Sequence, residues 1–213
     1  MLPSSTAMGE AFTRLPCIAI TGGIGSGKSA ALAAFARMGA AVLSADEIVH
    51  ALYRQQDVVS LVADRFGQDL VTASGDIDRA ALGARAFKDP AAMSFLEGVL
   101  HPRIGQWRVA WQERMRALIP PPTLLVCEVP LVFEAGLEGD YEAVLVVTAS
   151  DDIRRARVEA RGQRFDERRA RQLPEAEKVA RADASFVNDG SLAELDAWVA
   201  GCMARYGTGP ARG

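Results

Sequence analysis

Cys17-Ile18-Ala19-Ile20-Thr21-Gly22-Gly23-Ile24-Gly25-Ser26-Gly27-Lys28-Ser29 decides the fold of this chain. A short apolar run stops at a turn that fits G-x-x-x-x-G-K-[ST], and the helix-forming Ala30-Ala31-Leu32-Ala33-Ala34 follows it. A strand feeding a glycine-rich turn into a helix is the geometry that cradles the phosphates of a nucleoside triphosphate. Glycines take backbone conformations closed to residues with side chains, so successive N–H groups can point inward at phosphate oxygens. The helix that opens at Lys28 adds the partial positive charge of its N-terminus. Gly23, Ile24, Gly25, Ser26, Gly27, Lys28, Ser29 and Ala30 are therefore expected to hold a nucleotide. Lys28 is expected to reach the β- and γ-phosphates, and the Ser29 hydroxyl to ligate Mg²⁺. A tight strand-to-helix turn with no ligand would need the glycines but neither the lysine nor the hydroxyl.

Outward from that loop, the chain has the bulk properties of an ordinary globular protein. Its 213 residues can bury on the order of 70% of the unfolded surface. The composition is 49% hydrophobic and 24% charged, and the net charge of −3 argues against a general nucleic-acid coat. Cys17 and Cys127 lie in apolar runs and, with Cys202, make an odd count without metal-ligand spacing. That usage points to a reducing compartment, so a cytoplasmic location is expected. No apolar window is long enough to span a bilayer, and Met1 to Pro16 has no apolar core of a secretory signal.

Short apolar runs alternate with helical stretches. Strands are predicted at 17–21, 40–43, 124–128, 143–148 and 184–187, apolar on both faces as parallel strands covered by helices must be. Helices are predicted at 28–38, 47–56, 57–66, 79–87, 90–99, 102–118 and 191–205, with breaks at Gly67, Ser74-Gly75-Asp76, Asp89-Pro90 and His101-Pro102. A parallel crossover needs only about a dozen residues, so 47–119 is expected to be a helical insertion over the carboxyl edge of the sheet, where α/β proteins bind ligands. The arginine-rich stretch 154–182 is expected to be a helical lid. The expected fold is thus α/β, a P-loop NTPase-type parallel sheet flanked by helices. One domain spans 15–205, with its core in 15–46, 123–153 and 183–205, between an extension at 1–14 and a tail at 206–213.

Several side chains carry candidate chemistry. Asp46 follows the second strand in Ser44-Ala45-Asp46-Glu47. Ser44 and Glu47 have the spacing of a capping box, which would leave Asp46 a first-turn carboxylate. Asp46 can equally be a catalytic base facing the γ-phosphate, and both readings can hold together. Glu128 ends the third strand and is either a metal-orienting carboxylate or a solvated edge residue. Arg154, Arg155, Arg157, Arg161, Arg164, Arg168, Arg169 and Arg171 form a run that Glu159, Asp166 and Glu167 would soften as a solvated face. Closed over a polyphosphate, the same run would stabilise developing charge and exclude water. His101 lies at a helix boundary within the insertion.

Taken together these residues resemble the dephospho-coenzyme A kinase family, over about Cys17 to Val199. The resemblance rests on Ile20 through Ser29, Ala45-Asp46, Asp78-Arg79 with Phe87, Leu100-His101-Pro102 and Val129-Pro130-Leu131-Val132-Phe133-Glu134. It extends to Gln172 with Lys178, Ala182-Asp183 and Asn188-Asp189-Gly190. It implies transfer of the ATP γ-phosphoryl group to the ribose 3′-hydroxyl of dephospho-coenzyme A with Mg²⁺, and a fold with a helical acceptor-binding subdomain and a lid. Carried over, Asp46 accepts the hydroxyl proton, Thr21 lies against the reacting phosphate, and Ser29 and Glu128 attend the metal. Arg161 and then Arg157 serve as lid arginines, Asn188 lies near the adenine of ATP, and Phe87 and His101 line the acceptor site. Ser44 stands where that family usually has aspartate, Glu128 where aspartate is frequent, Arg154 where glutamine is usual and Gly162 where aspartate is common. The expected partners are ATP and dephospho-coenzyme A, with no nucleic acid and no membrane, in a monomer or weak homo-oligomer.

The alternative is a nucleoside or nucleotide kinase of the same architecture. No N-K-x-D segment supports a guanine-nucleotide switch, and the arginine run has only Phe165 as an aromatic for stacking single-stranded nucleic acid.

Overall fold

The computed structural model describes residues 15–86, 89–162, 165–169 and 172–207. Five strands, β1 (Cys17–Thr21), β2 (Ala41–Ser44), β3 (Leu125–Glu128), β4 (Ala143–Thr148) and β5 (Ala184–Val187), form one sheet in the order β2-β3-β1-β4-β5. Every pairing is parallel, so all five carboxyl ends meet at one edge. The five predicted runs are these five strands, with β2 displaced by one residue and β3 begun one residue later. Ile18, Ile20, Val126, Leu145 and Val147 are buried on one face against α1 (Lys28–Arg37) and α9 (Leu192–Tyr206). The opposite face, with Cys17, Leu43, Leu125 and Cys127, packs under α2 (Ala45–Leu52) and Trp111.

The stretch between β2 and β3 holds α2, α3 (Gln56–Phe66), α4 (Arg79–Ala86) and α5 (Pro90–Arg116). Residues from Tyr53 to Val99 bury a hydrophobic cluster of their own, centred on Val58, Val62, Leu70 and Leu82. The expected break at His101-Pro102 does not occur, and α5 is continuous. An interior proline costs ~3 kcal/mol because its N–H is missing and its ring crowds the preceding turn. Leu96 and Val99 lie in the insertion cluster before it, and Trp111 lies in the sheet cluster after it. Burying each such side chain contributes about 1.5–3 kcal/mol, so packing at both ends outweighs the local cost. Arg103 Nη1 also donates to the Val99 carbonyl at 2.9 Å.

The capping box expected at α2 does not form. Ser44 is the N-cap of α2 but makes no side-chain cap, and its Oγ donates instead to Glu128 Oε2 at 3.1 Å. The box forms at α9, where Ser191 Oγ accepts from Glu194 N at 3.3 Å and Glu194 Oε2 accepts from Ser191 N at 2.7 Å. After β4 come α6 (Asp151–Glu159), α7 (Phe165–Arg169) and α8 (Glu175–Arg181).

Candidate active site

The parallel order brings the loop after β1, the start of α2, the end of β3, α6 and the segment after β5 around one cleft of about 710 Å³. Gly27 is the N-cap of α1 with φ of +99°, in the left-handed region, and a Cβ there would lie 2.0 Å from Asn188 Nδ2. Both facts require glycine. Gly23 is needed for a different reason: its added Cβ would come within 2.2 Å of Arg154 Nη2 and of Glu175 Oε1. The first-turn N–H groups of Lys28 and Ser29 have no acceptor within α1, and no acidic side chain occupies that turn to compete with an anion.

The loop's carbonyls are held by donors packed around it. Arg154 Nε donates to Ile24 O at 2.9 Å, Arg157 Nη1 to Gly25 O at 3.3 Å, and Asn188 Nδ2 to Ser26 O at 2.9 Å. Lys28 Nζ donates to Gly22 O at 3.0 Å and Gly23 O at 3.1 Å. With five successive carbonyls neutralised, the loop presents a field suited to anions. The Ile24 N–H is taken by Gln172 Oε1 at 3.0 Å, tying the stretch after α7 to the loop. Burial pushes the Lys28 ammonium below lysine's ordinary value, while the Glu128 carboxylate opposes that shift.

Asp46, in the first turn of α2, lines the cleft with its side chain 86% exposed. Its one ion-pair partner among the described residues is Arg79, at 3.4 Å from the start of α4. Glu128 lies beside it, in register with Ile20 of β1 and Ser44 of β2. Thr21 is fully buried, and its Oγ1 donates to the Pro130 carbonyl at 3.2 Å, binding the end of β1 to the chain after β3. Ser29 is exposed at the mouth of the cleft, as its place in the first turn of α1 dictates.

The arginine run does not behave as one surface. Arg154 is only 2% exposed; besides Ile24 it meets Asp151 at 3.2 Å and Glu175 at 3.7 Å, and its guanidinium stacks 5.3 Å from the Phe165 ring. It is a strut under the phosphate loop, not a residue free to close on it. Arg155 pairs with Asp166 at 2.9 Å, and Arg169 with Asp151 at 2.5 Å. Arg157 also donates to the Asn188 carbonyl at 3.1 Å. Arg161 faces the cleft, exposed and unpaired among the described residues. Phe87, Arg164, Arg171 and the side chain of Arg168 lie outside the described residues.

His101 is exposed on α5, away from the phosphate loop, and borders a second cavity of about 340 Å³. This cavity shares Glu128, Pro130 and Leu131 with the cleft. Arg79 and Gln172 belong to the motifs quoted above, but nothing in their spacing announced that one would meet Asp46 and the other the phosphate loop.

A protein-family model described as dephospho-CoA kinase matches residues 16–194. A dephospho-CoA kinase of Frankia casuarinae is 38% identical over 190 residues, covering 84% of this chain and 79% of that protein. One of Nitrobacter winogradskyi is 40% identical over 178 residues, covering 82% and 86%. A solved protein of Thermus thermophilus superposes with a TM-score of 0.74 at 34% identity, covering 91% of this chain and 98% of the other. Dephospho-CoA kinase from Campylobacter jejuni shares the fold, with a TM-score of 0.62 at 21% identity and the same coverage, 91% and 98%.

Proposed function

Because the chain belongs to the dephospho-CoA kinase family, we propose that it transfers the γ-phosphoryl group of ATP to the ribose 3′-hydroxyl of dephospho-coenzyme A, giving coenzyme A and ADP. The observation that carries the chemistry is an exposed carboxylate, Asp46, in the same cleft as the cationic phosphate loop. The loop N–H groups and Lys28 hold the triphosphate, and Arg157 and Asn188 bound the side toward ATP's base. Asp46 accepts the proton of the 3′-hydroxyl as that oxygen bonds to the γ-phosphorus. The bond from the γ-phosphorus to the bridging oxygen breaks, and its electrons leave with ADP. Arg161 supplies positive charge to the transferring group from the lid stretch 154–182. Thr21 keeps the end of β1 against the loop after β3, fixing the floor on which the reacting phosphate lies.

The donor set suits Mg²⁺, which takes one or two protein oxygens and completes its shell with phosphate oxygens and water. Ser29 and Glu128 would hold it, and no group of three or more His, Cys, Asp or Glu that could form a denser site occurs among the described residues. When bound, the ion neutralises charge on the β- and γ-phosphates. The insertion 47–119 carries the acceptor side of the cleft, with His101, and with Phe87 proposed beside it. Three buried free thiols fit a reducing cytoplasm; no helix among the described residues is long and apolar enough to cross a membrane.

The test is ADP release from Mg-ATP with dephospho-coenzyme A, adenosine, cytidine and nucleoside monophosphates as acceptors. Turnover with dephospho-coenzyme A alone, yielding coenzyme A, is expected. Turnover only with a nucleoside or nucleotide would overturn the acceptor assignment and keep the kinase.

A further inference from the structure

Both backbone groups of Ile24, in the phosphate loop, are taken by side chains from outside it. Its carbonyl accepts from Arg154 Nε at 2.9 Å, and its N–H donates to Gln172 Oε1 at 3.0 Å. A backbone N–H can meet only an acceptor, so the carboxamide oxygen is fixed on the loop and the NH₂ end is left for another partner. That Nε2 has no partner among the described residues, and Gln172 lines the cleft with Lys28, Asp46 and Arg161. We propose that Gln172 is a further catalytic residue, whose amide donates to an oxygen of the γ-phosphoryl group and so extends the Ile24 N–H one side chain into the cleft.

This assignment rests on the proposed transfer from ATP and follows from the end of the loop that Gln172 occupies. Lys28 Nζ reaches back to the Gly22 and Gly23 carbonyls at 3.0 and 3.1 Å. The lysine that attends the β- and γ-phosphates therefore stands beside the residues that precede Ile24. Asn188 marks the other end of the loop, where it donates to the Ser26 carbonyl at 2.9 Å. Gln172 is thus placed at the γ end, and Asn188 toward the base of ATP.

The backbone that carries Gln172 is held as firmly as its amide. Leu173 N donates to Glu134 Oε1 at 2.9 Å, and the fully buried Lys178 places Nζ 2.8 Å from the same oxygen. A donor tied at both ends costs no reorganisation when charge develops, which is what makes a single such group effective. The Ile24 N–H also polarises the amide through its oxygen, strengthening the NH₂ as a donor. As the 3′-oxygen bonds to the γ-phosphorus and the bond to the bridging oxygen breaks, charge spreads over three equatorial oxygens. The Gln172 amide forms and breaks no covalent bond; it donates one hydrogen bond to that charge.

Two substitutions separate this role from a structural tie. Gln172→Glu keeps an oxygen for the Ile24 N–H and nearly the same shape, but puts a carboxylate oxygen where the donor was. Gln172→Ala removes both ends. The experiment is steady-state coenzyme A formation by the full chain and both variants, with Mg-ATP and Mg-ADP affinities and thermal melts of each. Removing one preorganised donor costs ~10²–10³ in kcat, so Gln172→Ala should lose on the order of 10² and Gln172→Glu at least as much. ADP has no γ-phosphate, so Mg-ADP affinity should hold within about twofold while one lost hydrogen bond weakens Mg-ATP by about three- to tenfold. A structural tie alone predicts that Gln172→Glu turns over near the unsubstituted rate, and that result would overturn the assignment. So would a kcat for Gln172→Ala within about threefold of the unsubstituted protein, or equal losses of Mg-ATP and Mg-ADP affinity. Should Gln172→Glu fail to fold, the ratio of ATP to ADP affinity in Gln172→Ala decides alone. That ratio needs no acceptor. Turnover with a nucleoside instead of dephospho-coenzyme A would therefore overturn the proposed acceptor and leave the role of Gln172 standing.

Discussion

Asp46→Asn replaces one carboxylate oxygen by an amide nitrogen of nearly the same size, and the structure separates its consequences by magnitude. The side chain is 86% exposed and its ion pair with Arg79 is long, at 3.4 Å. Exposed pairs of this kind are worth ~0–1 kcal/mol. For a domain of 150–250 residues 1 kcal/mol corresponds to about 2–4 °C in Tm, so the melt should move by no more than that. ATP binding should hold as well, because the contacts proposed for the triphosphate come from the loop after β1 and from Lys28. Removing a general base costs ~10²–10⁴ in rate, equivalent to ~2.7–5.5 kcal/mol of barrier. Turnover of dephospho-coenzyme A should therefore collapse by that factor while fluorescent-nucleotide binding and Tm stay near those of the unsubstituted protein. Coenzyme A formation falling by less than about tenfold would refute the base assignment. Parallel loss of nucleotide affinity, stability and rate would make Asp46 structural.

Lys28→Ala removes a cation from the triphosphate, and the loss of one such electrostatic group lowers kcat by ~10²–10³, with a raised KM for ATP; near-normal turnover would contradict the phosphate-loop assignment. Burial depresses Lys28 below its ordinary 10.5 and Glu128 partly restores it. The alkaline limb of kcat/KM for ATP, which reports the free enzyme, should therefore lie below that value. Glu128→Gln removes the restoring charge and should move the limb to lower pH, and a shift to higher pH would invert the reasoning. Stability has the opposite slope in that window: the unfolded chain holds more protons than the folded one, so the Lys28 contribution improves as pH rises. Arg154→Ala strips the buried strut from the Ile24 carbonyl and leaves Glu175 and Asp151 without it. Both carboxylates are partly exposed, and Asp151 keeps Arg169, so the main loss is the charged hydrogen bond to the loop, worth ~1.5–3 kcal/mol, and Tm should drop by roughly 3–12 °C; a drop under about 2 °C would show that the guanidinium is not carrying the loop.

Much of this was legible along the chain because the signals are local. Strands buried on both faces are uniformly apolar runs, and the register of a parallel sheet then places their ends together. The phosphate loop announces itself because glycines, lysine and hydroxyl must stand at fixed offsets on one continuous backbone. Local signals failed where distant packing competes with them. Ser44 has the spacing of a capping box, yet its hydroxyl serves Glu128, a residue 84 positions away that β3 brings alongside. Pro102 marks a helix end on local grounds, and the two clusters that anchor α5 override it. The arginine run reads as one surface, but among the described residues burial against the phosphate loop and Phe165 separates the buried Arg154 and the ion-paired Arg155 and Arg169 from the exposed Arg161.

The order of elements, the phosphate loop and the acid after β2 were therefore determined by the sequence, since each is a property of contiguous residues. Tertiary structure alone decided that Arg79 meets Asp46, that Gln172 meets the loop, and that an apolar cavity opens beside Glu128. Those contacts join segments whose approach is set by the summed packing of the sheet, the insertion and α5, which no local spacing encodes.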